Sequence, residues 1–237
     1  MEKKYLILLW IFILITIFSL AGFYPSYISL LPQFNRFPLT IHIHFVAFLC
    51  WFLLLIIQPV LIRRQQYTLH RQLGRFSYLL APLLVLTILL LVKDKVLREL
   101  PVSVEAASMT ALIGILDVMS FSVCYLLAMV NRHNIRWHVA FIIGATLIVF
   151  NPGMSRLLNH FKTGSGLLAA VVLPFVIPLI IIIVEKIKYQ RPVLKSPYTL
   201  FVLLWMIEII LFITVPQTTS WKNVVLTWGY EVQVTPE

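Results

Sequence analysis

Residues 40–62 read TIHIHFVAFLCWFLLLIIQPVLI. The run holds no Asp, Glu, Lys or Arg. It is too long for a strand and lacks the two-residue alternation of a barrel segment. A helix of about 20 such residues crosses the ~30 Å hydrocarbon layer of a bilayer. Six further stretches share this character: about 5–22, 76–92, 106–130, 137–158, 167–187 and 198–215. The expected fold is all-α, a polytopic transmembrane helical bundle of about seven helices. Residues 1–215 then form a single transmembrane helical domain, and 216–237, bounded by Pro216 and Pro236, a short external C-terminal tail. The connections are short except 23–39, where Pro25, Pro32 and Pro38 predict an extended loop.

Composition agrees. Of 237 residues, 60% are hydrophobic and 12% charged. That charged share is about half what a soluble domain uses to cover its surface. The net charge of +10 raises the question of nucleic acid. Lys and Arg, however, lie in short clusters between apolar runs rather than in one soluble basic patch, so the expected partner is the lipid bilayer and not nucleic acid. Cys50 and Cys124 fall inside apolar runs and read as small buried hydrophobes. No dinucleotide, Walker, GxSxG or HExxH motif occurs, and no catalytic residue is assigned.

The first segment has a second reading. Lys3 and Lys4 precede an apolar run ending Ser19-Leu20-Ala21, which is similar to a small-x-small cleavage site. The length of the run and Trp10 within it favour a retained helix. Cleavage would leave six.

Orientation follows from the basic residues. Lys3, Lys4, Arg63, Arg64, Arg71, Arg75, Arg132, Arg136, Lys186, Lys188, Arg191 and Lys195 fall on one side, twelve in all. Arg36, Lys93, Lys95, Arg98, Arg156, Lys162 and Lys222 fall on the other, seven. The richer side is expected to be cytoplasmic, with the N-terminus inside and the C-terminus outside. Two hairpins echo each other: His70 leads a helix broken by Pro82, and His138 leads one broken by Pro152. Any positive-inside hairpin would also look this way.

Three groups of residues could carry chemistry. The six histidines sort into an outer layer, His42, His44 and His160, and an inner layer, His70, His133 and His138. Pairs from different helices could ligate haem or a metal, with His44 facing His160 and His70 facing His138. His138 and His160 are some 33 Å apart along a continuous helix, so two such haems would sit at opposite surfaces. His42 and His44, at i and i+2, point apart, so at most one is expected to face the interior.

The second group is intramembrane polarity: Asp117, Asn151, Arg156 and Glu208, with Gln58 before Pro59. A charge at mid-membrane costs at least about 2.5–3.5 kcal/mol on insertion scales and usually faces the bundle or a wet cavity. An Arg156–Glu208 ion pair, with Asp117 as alternative partner, would compensate it. Otherwise these groups line a protonatable site, with Asn151-Pro152-Gly153 opening a cavity.

The third group is Leu69-His70-Arg71-Gln72-Leu73-Gly74-Arg75, which with Arg63 and Arg64 gathers four arginines at one turn. Topology control and contact with anionic headgroups at the cytoplasmic face are expected there.

That same stretch resembles the L-H-R-x-L-G-R segment of a family of uncharacterised bacterial multi-pass membrane proteins. A His opening the preceding helix, as His42 or His44 does here, is part of the likeness. So is a later R-x-H helix, similar to Arg136-Trp137-His138 through Ile142 and on to Arg156. The resemblance covers about residues 40–160. It implies a bacterial inner-membrane protein and carries no reaction with it. Phe141 stands where some relatives carry Met, which removes a possible thioether ligand. The functional expectation is an integral inner-membrane protein binding a haem, metal or small ligand within the bundle. The alternatives are a proton-coupled transporter-like protein using Asp117, Arg156 and Glu208, and a scaffold without chemistry.

Overall fold

The computed structural model describes residues 2–234, with side chains described over 5–228. Among the described residues there are eight α-helices and no strand. They are α1 (Glu2–Phe23), α2 (Leu39–Arg63), α3 (Tyr67–Glu99), α4 (Val104–Val130), α5 (Ile135–Phe161), α6 (Ser165–Tyr189), α7 (Pro197–Thr214) and α8 (Thr219–Val234). The first seven are long and apolar enough to cross a membrane. The chain is therefore a multi-pass helical membrane protein. Exposed rows such as Ile7, Trp10, Leu14 and Ile17 on α1 are the surface that lipid covers, since no soluble fold leaves so much apolar area open.

Five prolines lie inside helices without ending them: Pro59, Pro82, Pro152, Pro174 and Pro178. The expected breaks at Pro82 and Pro152 are absent, because α3 and α5 run on through them. A proline deprives the carbonyl four residues earlier of its partner. For Pro174 that carbonyl belongs to Ala170, and Asn151 Nδ2 donates to it at 3.3 Å.

Backbone contacts gather in two compact units, residues 1–87 with 149–170, and 88–148 with 171–237. Helices α3, α5 and α6 each contribute to both.

In the first unit α1 packs along α2. Small residues set how closely α1 meets the end of α5. A Cβ on Gly153 would lie 2.8 Å from Ser19 Cα, and one on Gly22 would strike the Gly153 backbone. Gly153 is thus a seat for α1 and not the wall of a cavity, which corrects the expectation for Asn151-Pro152-Gly153. Loop 24–38 is not extended either. It forms 3₁₀ turns at Ile28–Leu30 and Phe34–Arg36, and is tied to α2 through Tyr27, whose hydroxyl lies 2.6 Å from His42 Nδ1.

In the second unit α4 packs against α7 and α8. The tail expected after Pro216 is a helix. Trp221, Val225 and Trp228, spaced at helical intervals, lie with Val96, Ala107 and Ala111, and Trp221 Nε1 donates to the Ser108 carbonyl at 3.0 Å. Lys222 Nζ reaches Glu105 Oε1 at 3.0 Å. Burying two indoles on α4 outweighs the weak helix propensity of its Thr, Val and Asn residues.

Candidate functional site

Helix α7 presents one buried stripe: Tyr198, Phe201, Trp205 and Glu208. The spacing of three, four and three places them on one face. Three members are aromatic, and the last is a carboxylate only 9% exposed. The facing part of α4 carries Asp117, Ser120 and Cys124, again on one face at i, i+3 and i+7. The Ser120 hydroxyl donates to Glu208 Oε2. Asp117 is half-buried and lies within electrostatic reach of Glu208, as does the fully buried Cys124. Gly144 of α5 closes the floor: a Cβ there would meet the Phe201 ring at 2.8 Å and Cys124 Sγ at 3.2 Å.

Both carboxyls sit deep. Asp117 is some 20 Å along α4 from Val104, and Glu208 some 16 Å along α7 from Pro197. Among the described residues no ion pair involves either of them. Two anionic groups in lipid-level surroundings repel and have lost their water, and neither cost is met by a cationic side chain. Among the described residues the Ser120 hydroxyl is the side-chain hydrogen-bond donor to Glu208.

Other sequence candidates fall elsewhere. Arg156, expected to pair with Glu208, is engaged within its own unit. Its Nη1 donates to Ser26 Oγ at 3.1 Å, and its guanidinium lies 4.7 Å from the centre of the Phe23 ring. Arg156 fastens the end of α1 and the following loop through a hydrogen bond and a cation–π contact. Asn151 is spent on the carbonyl freed by Pro174. Together these leave only the Asp117 and Glu208 half of the expected polar site assembled.

His44 and His160, both in the first unit, do not form the expected pair, and His44, His70 and His138 are each engaged within their own units. His44 Nδ1 lies 2.8 Å from Thr87 Oγ1, and the threonine in turn donates to Leu83 O at 2.7 Å. His44 therefore carries its proton on Nδ1. The Gln58 amide lies against His70. With its nitrogen toward the ring it donates to Nδ1 and, at 3.3 Å, to the His70 carbonyl, while its oxygen accepts from Gly74 N at 3.2 Å. His138 Nδ1 donates to Ala128 O at 2.8 Å. His160 is exposed beside the edge of Phe161. His42, not chosen as a ligand, is the buried one: Phe34 stacks on it with ring centres 3.8 Å apart, and its Nε2–H donates to Phe34 O at 3.1 Å. Both His42 and His44 are thus held by the protein on different sides of α2. Among the described residues no group of three or more His, Cys, Asp or Glu could hold a metal ion.

A second polar node went unread in the sequence. Glu185 near the end of α6 accepts from Arg136 Nε at 2.8 Å and Nη2 at 2.6 Å, from Arg191 Nη1 at 3.0 Å, and from Ser196 Oγ at 2.8 Å. Every acceptor direction is filled and the bidentate Arg136 fixes the geometry, so this node reads as a structural clasp between the start of α5 and the α6–α7 connection. Ser120 was also missed, although its position three residues after Asp117 was the available signal.

No family model matches this chain, and neither a curated protein nor a solved structure does.

Proposed function

We propose that this membrane protein takes up a proton or a small monovalent cation at the Asp117–Glu208 pair and couples that uptake to movement of a ligand across the bilayer. The observation that carries the reading is the pair itself: two carboxyls on facing helices, with a serine hydroxyl and, among the described residues, no ion-pair partner. Proteins that retain such residues in the bilayer use them as proton relays or ion sites. The membrane is a bacterial inner membrane, on the likeness of residues 69–75 to the L-H-R-x-L-G-R family and on the distribution of Lys and Arg. The same distribution sets the N-terminus in the cytoplasm and the C-terminus outside. The test is flux into vesicles carrying the purified protein and a trapped pH dye, under an imposed proton or sodium gradient. Wild type dissipates the gradient faster than empty vesicles, and D117N and E208Q return the rate to that of empty vesicles. Equal rates for wild type and the double variant would refute the reading.

A second reading, binding of a haem or metal, is supported by His44 and His138. Each has its Nδ1–H held by a protein oxygen, which turns Nε2 outward as a lone-pair donor. A visible absorption band lost in His138→Ala would support it, and a colourless, metal-free preparation would remove it.

A further inference from the structure

Helix α2 ends at Arg63 and α3 begins at Tyr67, so three residues turn the chain, with Gln65 in the left-handed region at φ 59°. Around this turn Arg63, Arg64, Arg71 and Arg75 are all exposed. Among the described residues none of the four makes an ion pair or a side-chain hydrogen bond. No Asp or Glu occurs in sequence between Glu2 and Asp94. Elsewhere the fold does provide acids: Asp94 for Arg98, Glu99 for Lys95, Glu185 for Arg136 and Arg191, Glu105 for Lys222.

The four are also held in place. The Gln58 amide bridges from α2 to the His70 ring and the Gly74 N–H, fixing the start of α3 against the end of α2. His70 and Gly74 therefore look toward α2. Arg71 and Arg75, one position later in each case, share the adjacent face. Tyr67, Leu69, Phe76 and Tyr78 are exposed beside them, aromatic and apolar side chains of the kind found at the headgroup boundary.

We propose that this turn is a binding site for an anionic phospholipid headgroup, with a two-phosphate lipid held more tightly than a single-phosphate one. A three-residue turn between two spanning helices keeps the guanidiniums at headgroup level, where phosphodiesters are the concentrated anions. Guanidinium forks grip phosphate oxygens bidentately. Four unpaired forks leave most of their charge unmet by one phosphodiester, and two phosphates match them better. Lipid rather than an acidic protein is favoured by the flanking exposed Leu69 and Phe76, which suit acyl chains. The site does not depend on the Asp117–Glu208 reading.

The test measures the thermal midpoint of the purified protein in mild detergent with added diphosphatidylglycerol, phosphatidylglycerol, phosphatidylcholine, inorganic phosphate or poly-glutamate. Diphosphatidylglycerol is expected to raise the midpoint most, phosphatidylglycerol less, and phosphatidylcholine not at all. R71Q/R75Q should weaken the apparent lipid affinity by roughly 30-fold, on the effect of two surface arginines near anionic lipid. R98Q, at the other end of α3, should not. An equal rise with inorganic phosphate would assign the site to a soluble anion and overturn the lipid proposal. A larger rise with poly-glutamate would assign it to an acidic protein and do the same. So would an unchanged lipid response in R71Q/R75Q. Lipid extracted from the wild-type preparation gives a measure that needs no variant: enrichment of diphosphatidylglycerol over the host membrane is expected, and its absence contradicts the site.

Discussion

The Ser120 hydroxyl on α4 donates to the Glu208 carboxyl on α7, and among the described residues it is the side-chain donor to this buried carboxyl group. Removing a hydrogen bond to a charged group costs about 1.5–3 kcal/mol where the acceptor stays buried. Ser120→Ala should therefore lower the melting midpoint of the protein in detergent. In Glu208→Gln the same serine substitution should cost less, because an amide in that place makes a weaker acceptor. Equal losses in the two backgrounds would show that Ser120 and Glu208 are not coupled.

Arg156 should couple to Ser26 and Phe23, not to Glu208. Arg156→Leu and Glu208→Leu are expected to destabilise additively. Recovery of stability in the double variant would restore the ion pair that the contacts of Arg156 with Ser26 and Phe23 replace.

The Glu185 clasp predicts a large penalty at one position and almost none at another. Arg136→Leu removes two charge-assisted hydrogen bonds and leaves Glu185 with Arg191 and Ser196, so it should cost about 1.5–3 kcal/mol. Asp94→Asn removes an exposed i,i+4 pair with Arg98 and should cost under about 0.5 kcal/mol. Chemical denaturation of the two variants side by side measures the difference. Similar values would mean that Glu185 is solvated after all.

Tyr27 gives an alkaline prediction. It lies in the loop after α1 and is buried, which pushes its phenol above the ordinary value of 10.0. The unfolded chain then loses this proton first, so the stabilisation is fully present below the unfolded value and declines as pH rises past it. Wild type should lose melting temperature between about pH 9 and 11 more steeply than Tyr27→Phe. Parallel curves would show that the tyrosine ionises as readily folded as unfolded.

Much of the fold was legible because membrane insertion needs long apolar runs, and such runs leave a strong mark in sequence. The seven spans were found where residues 5–22 through 198–215 read as continuous. Helix α8 was missed because its segment is short and mixed in polarity, and the packing of Trp221, Val225 and Trp228 on α4 is a tertiary fact. Pro82 and Pro152 looked like breaks because a local rule does not anticipate that α3 and α5 run on through them. The acidic half of the site was visible, since Asp117 and Glu208 are out of place in apolar surroundings. Their partners were not, because helix adjacency is a tertiary fact. Arg156 was assigned to the nearest unmet charge, while the chain folds it back onto Ser26. Glu185 looked like an ordinary charge at a helix end, and only the positions of Arg136 and Ser196 make it a clasp.

The most direct test is the infrared difference spectrum of the protein in vesicles as pH is taken from about 5 to 9, a range in which buried carboxyls titrate. A protonated-carboxyl stretch should appear and disappear across that range in wild type. It should shift in Ser120→Ala, be lost in D117N/E208Q, and be displaced by sodium or lithium if the site also accepts a cation. A spectrum identical in wild type and D117N/E208Q would contradict the central claim that this pair is the proton- or cation-binding centre of the protein.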